Sequence, residues 1–231
     1  MKYLKPGLLF LILCMYAVYL PAQSVEMRKL PAFSKLKTGG SWDVVIQKGD
    51  SPEVKLESKN MDLDRVVTEV KNNTLDVYLE KGNYRNVDLK VYITYVDLES
   101  IQSGGSGNFK SQSNLMASDL DISISGSGNA YFENIEADDL TISMSGSGNV
   151  HINGGNAGQV KLEQSGSGNF KAIDLHSEQA NISKSGSGNV SIGVDESLSV
   201  HSSGSGNVHY RGNPSVNDVR ISGSGKVVKD R

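Results

Sequence analysis

A five-residue unit, Ser-Gly-Ser-Gly-Asn, returns at Ser125–Asn129, Ser145–Asn149, Ser165–Asn169, Ser185–Asn189 and Ser203–Asn207. A looser copy, Gly104–Asn108, precedes the run, and a last copy, Ser222–Lys226, ends in lysine. The final residues of these seven copies lie 21, 20, 20, 20, 18 and 19 residues apart. A period near 20 repeated this often predicts stacked coils, in which each unit buries its apolar face only against its neighbours. The chain holds 25 Gly, 20 of them within residues 103–231, but no Gly-X-Y period, so a collagen helix is excluded.

The residues between the copies are also ordered. Nine before the last residue of a copy stand Leu120, Leu140, Val160, Ala180 and Leu198. Seven before it stand Ile101, Ile122, Ile142, Leu162, Ile182, Val200 and Val219. One after it stand Phe109, Ala130, Val150, Phe170, Val190, Val208 and Val227. Three after it stand Phe132, Ile152, Ala172, Ile192 and Tyr210. All these offsets are odd, so in extended chain they share one face. The Ser and Asn of the unit have the opposite parity and point outward. Stacked on their equivalents, they predict parallel rows of Ser, Ser and Asn along one flank. The glycines admit close backbone approach or a bend, and a tight corner at Ser-Gly-Ser-Gly would break the parity locally.

The predicted fold is therefore all-β, a parallel β-helix or solenoid of about 20-residue coils. Seven coils at ~4.8 Å spacing make a rod about 29 Å long. A coil edge is an open edge, so the ends need cover. An amino-terminal β region is expected to cover one end, and the charged tail Lys226–Arg231 the other.

Three segments are expected. Residues 1–22 read as a signal peptide: Lys2 and Lys5, an apolar run Leu8–Leu20, then Pro21 and Ala22 at the cleavage site. Residues 23–100 form the amino-terminal β region, and residues 101–231 the repeat solenoid, continuous with it as one structural domain. In the former, Trp42–Gln47, Glu53–Ser58, Leu75–Leu79 and Val87–Tyr95 alternate as strands. Asn60–Val70 suits either one helical turn or a short strand. Loss of residues 1–22 would remove Cys14, the only cysteine, and take the net charge from −3 to −5. No transmembrane segment is expected to remain, and no disulfide could form. The location expected is outside the cytoplasm: periplasm, outer-membrane surface or secreted.

The sequence argues against most chemistry. An acidic chain lacks the basic face that nucleic acid requires. No phosphate loop or dinucleotide fingerprint occurs, and the repeats carry Asn or Lys where calcium-binding solenoid repeats carry Asp. No cofactor and no metal are expected. His151, His176, His201 and His209 read as surface residues, and the acidic pairs Asp138-Asp139 and Asp195-Glu196 as solvated turns. No Gly-x-Ser-x-Gly elbow stands between a strand and a helix, so no catalytic residue is assigned. The candidate binding surface is the repeated polar face: Ser125, Ser127, Asn129, Ser145, Ser147, Asn149, Ser165, Ser167, Asn169, Ser185, Ser187 and Asn189. Its regular rows contain no aromatic residue, and Tyr131 lies beside them.

The segment Phe33…Gly40-Ser41-Trp42-Asp43-Val44-Val45-Ile46-Gln47-Lys48-Gly49-Asp50, followed by the Ser-Gly-Ser-Gly-Asn run, resembles the family described as putative auto-transporter adhesin, head GIN domain. The resemblance spans roughly residues 30–230. It implies a right-handed parallel β-helix, an exported or surface location and adhesion, and it brings no catalytic residues. The function expected is that of an exported, non-enzymatic cell-envelope protein that binds a surface, glycan or protein ligand. A structural or self-assembling envelope module, with a homo-oligomer, is the alternative. A polysaccharide-acting β-helix enzyme is a further one.

Overall fold

The computed structural model describes residues 23–230. The segment 1–22, read above as a signal peptide, lies outside the described residues. From Ser100 onward the chain winds as a parallel β-solenoid. Strands β8 (Ser100–Gly105) and β9 (Phe109–Ser111) make one level, β10 (Leu115–Gly126) and β11 (Ala130–Phe132) the next, and β12 (Ile135–Gly146) and β13 (Val150–Ile152) a third. The path continues through β14 (Gly155–Gly166), β15 (Phe170–Gly186), β16 (Val190–Gly204), β17 (Val208–Arg211), β18 (Ser215–Ser222) and β19 (Val227–Lys229). Pairing is offset by one repeat, so equivalent residues stack: Ile122 on Ile142, then Leu162, Ile182 and Val200.

Irregular repeat lengths are absorbed locally. The 18-residue interval arises where Ala172 pairs with Ile192 but His176 already pairs with Gly193, which skips three residues, while Ser177–Gln179 against Val194–Ser197 restores one. The 19-residue interval gains Asp218, a bulge with φ 42° opposite the Ser199–Val200 step.

Each winding has three straight runs. In the β10–β11 winding they are Leu115–Ala117, Leu120–Ser125 and Ala130–Phe132. The predicted apolar columns face inward almost throughout: Leu120, Leu140, Val160, Ala180 and Leu198 are buried, and so are Phe109, Ala130, Val150, Phe170, Val190 and Val208. Phe109 and Phe132 pack ring to ring at 5.8 Å. Asp138-Asp139 and Asp195-Glu196, expected in turns, lie on a corner that β12 and β16 round without a break in the strand.

The stack begins earlier than the run of Ser-Gly-Ser-Gly-Asn shows. Strands β2 (Lys35–Gly40) and β3 (Asp43–Lys48) pair in parallel with β8 and β9, with Gly39 on Gly104, Gly40 on Gly105 and Val44 on Phe109. Gly39-Gly40-Ser41-Trp42-Asp43 is thus a further corner, with Trp42 and Asp43 in place of Gly and Asn. On the other side of this level lie β6 (Thr74–Leu79), parallel to β2, and β7 (Leu89–Tyr95), parallel to β3. The chain therefore jumps one level when it passes from β7 to β8.

Antiparallel strands complete this end. After a 3-10 turn at Leu63–Arg65, β5 (Val66–Lys71) runs back along β6, turning at Asn72 and Asn73 with φ 48° and 61°. Both left-handed residues are what a two-residue hairpin turn demands. Strand β4 (Glu53–Ser58) pairs antiparallel with β7, and β1 (Ser24–Lys29) with β4. The amino-terminal β region covers one end, as expected. The tail does not cover the other: Val227–Lys229 is the third run of the last described winding, paired with β17. Val216, Val219 and Ile221 of β18 stay exposed there, because no further described winding lies over them.

Ile182 is buried midway along the stack. Ile182→Asp places a carboxylate among apolar side chains, at a cost of about 4 kcal/mol or more. The expected result is a thermal midpoint lower by about 8–16 °C, read by circular dichroism at a strand-sensitive wavelength. An unchanged midpoint would contradict the stacking.

Candidate functional site

The Ser-Gly-Ser-Gly-Asn unit is a corner between the second and third runs. Its first glycine has φ between 99° and 128° at Gly126, Gly146, Gly166, Gly186 and Gly204, a region closed to residues with a Cβ. Its carbonyl then accepts from the next winding: Ser147 N at 2.9 Å and Gly148 N at 3.1 Å both donate to Gly126 O. The second glycine is dictated by packing. A Cβ on Gly148 would overlap the carbonyl oxygen of Gly128, and the same holds for Gly128 against Gly107. The first glycine thus turns the chain, which breaks the strict inward parity, while the second lies buried against the neighbouring winding.

The asparagine supplies the acceptor that the bend removes. Asn149 N donates to Asn129 Oδ1 at 3.1 Å and Asn149 Nδ2 to the same oxygen at 2.8 Å. Asn169 repeats this on Asn149 at 3.0 and 2.9 Å. The backbone bonds continue through Asn189 N and Asn207 N to Lys226 N, which donates to Asn207 Oδ1 at 3.0 Å. At the other end Asp43 Oδ1 receives Asn108 N at 3.0 Å and Asn108 Nδ2 at 3.2 Å. A carboxylate suits the first position, because it must only accept. Lysine suits the last described one, where only the backbone N–H is used. Asn129, Asn149 and Asn169 are half-buried and committed to this ladder.

The serines are different. Ser125, Ser145, Ser165, Ser185, Ser203 and Ser222 stack in register, and all six are exposed. Ser127, Ser147, Ser167 and Ser187 are exposed at the bend itself. The predicted serine rows form, but among the described residues no hydroxyl of either row makes a protein hydrogen bond, so they stack without a side-chain ladder. A second outward row, Ser123, Ser143, Glu163, Ser183, His201 and Arg220, runs beside the first. Between them an open trough follows the stack axis, with a volume of about 810 Å³ around Glu163, Ser183, His201 and Ser203. Nearer the covered end, along the same row, a second cavity forms a notch beside Tyr78.

Under the trough lies an inward column that the sequence pattern concealed: Ile124, Met144, Gln164, Lys184 and Ser202, all buried. Its apolar half belongs to the core, but its polar half has no periodic signal. Lys184 Nζ donates to Gly206 O at 3.0 Å, and among the described residues no carboxylate lies within reach of it. Gln164 Nε2 donates to Gly168 O, while Gln164 Oε1 and Ser202 Oγ lack partners. Burial holds the Lys184 ammonium below its ordinary pKa of 10.5.

On the third face the outward row includes Lys110, Tyr131, His151 and Lys171. The Tyr131 and His151 rings stack with centroids 5.0 Å apart. Burial and Lys171 push the His151 imidazole below its ordinary pKa. His151 and His209 stand on separate windings of this row, and among the described residues no group of three His, Cys, Asp or Glu side chains is placed to hold a metal.

The architecture defines the protein as a parallel β-solenoid with one covered end and a hydroxyl-lined flank. The family described as "Putative auto-transporter adhesin, head GIN domain" matches residues 32–214, and the chain belongs to it. Comparison with curated protein sequences gives no match. Among solved structures, a putative adhesin from Bacteroides fragilis NCTC 9343 superposes with a TM-score of 0.84 at 23% identity, covering 91% of this chain and 99% of its own. A putative adhesin from Parabacteroides merdae ATCC 43184 gives 0.74 at 19% identity, covering 90% and 96%. A putative lipid binding protein from Parabacteroides distasonis ATCC 8503 gives 0.72 at 24%, covering 90% and 97%. These likenesses establish the fold. Among the described residues no helix is long and apolar enough to cross a membrane.

Asn149→Ala removes the acceptor of two bonds and is expected to cost about 2–3 kcal/mol. Ser147→Ala is expected to cost less than about 0.5 kcal/mol. Urea denaturation of both variants checks the division of labour within the unit. Lys184→Met, which copies Met144 two windings away in the same column, is expected to raise stability, because it removes a buried unpaired charge. A lysine whose folded pKa is depressed binds fewer protons when folded, so its penalty is fully present below that pKa and fades as pH rises toward 10.5. The stability gap between variant and native protein should therefore shrink as pH approaches 10.5, measured by urea midpoints across the alkaline range.

Proposed function

We propose that this protein is exported and serves as a non-enzymatic adhesin-type module of the cell envelope, which binds a surface-borne ligand along its serine flank. The observation that carries this reading is the contrast inside the repeat. Both glycines and the asparagine are consumed by the corner, whereas the serine hydroxyls are exposed and make no bond that the fold needs. Hydroxyls repeated at the ~4.8 Å spacing of a β stack form a regular array of donors and acceptors for an extended partner. Membership of an adhesin family supports the same reading. An activated nucleophile needs a base in hydrogen-bond contact, and among the described residues no hydroxyl of these serine rows hydrogen-bonds a histidine or carboxylate. Export is supported by the leader-like sequence of residues 1–22.

Self-association is a second reading, favoured by the exposed Val216, Val219 and Ile221 on β18. Sedimentation across a concentration series would show a monomer–dimer equilibrium if that end were an interface, and a strict monomer counts against it.

The flank is tested by Ser145→Gln together with Ser185→Gln, two exposed positions separated by one winding. The pair adds bulk without charge and should leave the thermal midpoint in place. Binding to immobilised matrix proteins, glycans and cell-wall fragments should weaken by at least about tenfold, or ~1.4 kcal/mol. Native protein that binds none of these surfaces, or binding indifferent to both substitutions, would refute the reading.

A further inference from the structure

The serine row ends in an aromatic residue that no periodicity announces. Strand β6 pairs with β2 so that Asp76 faces Lys37 and Val77 faces Thr38, which puts Tyr78 beside Gly39 in the outward row. From the covered end the row reads Tyr78, Gly39, Gly104, Ser125, Ser145. Two side chains are missing between the tyrosine and the first serine. The gap is a notch of about 480 Å³ with Tyr78, 37% exposed, as its wall.

Neither Gly39 nor Gly104 is required by the backbone. Neither has a positive φ. A Cβ on Gly39 would meet Gly104 O at an ordinary 3.5 Å, and one on Gly104 only the rotatable Ser125 Oγ at 3.0 Å. The corner glycines cannot be replaced, whereas these two could be serine, as at later windings. Their smallness has no use in the fold and leaves the notch open.

The polar groups around the notch are nearly neutral in sum. Lys37 Nζ and Asp76 Oδ2 form an ion pair at 2.9 Å, and that bond holds the Lys37 ammonium above its ordinary pKa. Gln102 adds an amide and Ser125 a hydroxyl. The Tyr78 hydroxyl is held by Glu69 Oε1 at 3.2 Å, which fixes the ring. An apolar ring face beside a carboxylate, an amide, an ammonium and a hydroxyl matches a molecule with C–H groups on one side and hydroxyls around its rim. That is a pyranose. The charge balance disfavours an anionic polymer, which would need unpaired cations.

We propose that the Tyr78 notch binds a sugar residue of a neutral polysaccharide, whose chain continues along the serine trough. The proposal rests on the reading of the flank as a binding surface and names its ligand class. One winding rises ~4.8 Å, similar to the length of a hexopyranose in an extended chain, so successive sugars can meet successive serines.

The test is calorimetric titration of the intact protein with neutral hexasaccharides (β-1,4-glucan, β-1,4-xylan and β-1,4-mannan), with a heparin hexasaccharide as the anionic comparison. Saturable binding of at least one neutral probe is expected. It should weaken by about tenfold or more in Tyr78→Ala and in Gly39→Ser, and stay unchanged in Tyr131→Ala. Gly39→Ser preserves the ring and the fold, so loss there cannot be blamed on instability. Binding that survives both notch variants but falls in the Ser145→Gln/Ser185→Gln pair would overturn the notch and keep the flank. Binding insensitive to all of these would overturn both. No neutral probe bound, with heparin bound instead, would overturn the ligand class. No hexasaccharide bound, while the serine-dependent binding to matrix protein persists, would overturn the notch alone.

Discussion

A parallel β stack can turn a corner only if the N–H groups at the bend still find acceptors in the neighbouring winding. Straight runs meet this demand automatically, because register places each N–H against a carbonyl. At the bend the carbonyls swing away, and buried or half-buried donors left there would cost about 1–3 kcal/mol each. Here Gly126 O takes two donors and Asn129 Oδ1 takes the next. The side chain thus stands in for a backbone acceptor. The two glycines let the windings approach closely enough for these bonds to form. Everything else in the solenoid, from the apolar columns to the exposed rows, depends on the windings staying in register through this corner.

The same constraint explains the repeat's economy and its exceptions. Asp43 can open the ladder because it only accepts, and Lys226 can occupy its last described position because only its backbone donates. Trp42 replaces a corner glycine at the level where the neighbouring winding is built from β6 and β7, which carry no such corner. Gly107 must then be bare, since a Cβ there would overlap the Trp42 carbonyl. The polar column at Gln164, Lys184 and Ser202 puts an amide, an ammonium and a hydroxyl inside the stack, and among the described residues it does so without an ion pair to offset the burial of charge.

Much of this was legible in the sequence because a twenty-residue period carries both the stacking and the parity. The inward columns at Leu120, Ile122, Ala130 and Phe132 follow from it, and so does the asparagine ladder. Parity alone lets the glycines lie inward or at a corner, and the positive φ of Gly126 decides for the corner. Three things were not legible. The winding of β2 and β3 lacked Gly and Asn at the diagnostic positions, although Gly39-Gly40 before Ser41 was a trace of it. Lys184 and Gln164 broke the apolar pattern of their own column, so periodicity passed over them. Tyr78 joins the serine row only because β6 is threaded out of chain order, and no local pattern encodes that.

Residue-resolved amide hydrogen exchange at the corners tests the central claim most directly. If glycine carbonyls and asparagine side chains complete the ladder, then the backbone amides of Ser147, Gly148, Asn149, Ser167, Gly168 and Asn169 should exchange as slowly as that of Ile142 in mid-strand. Amides at those positions that exchange at the rate of an open surface loop, with Ile142 still protected, would contradict the account.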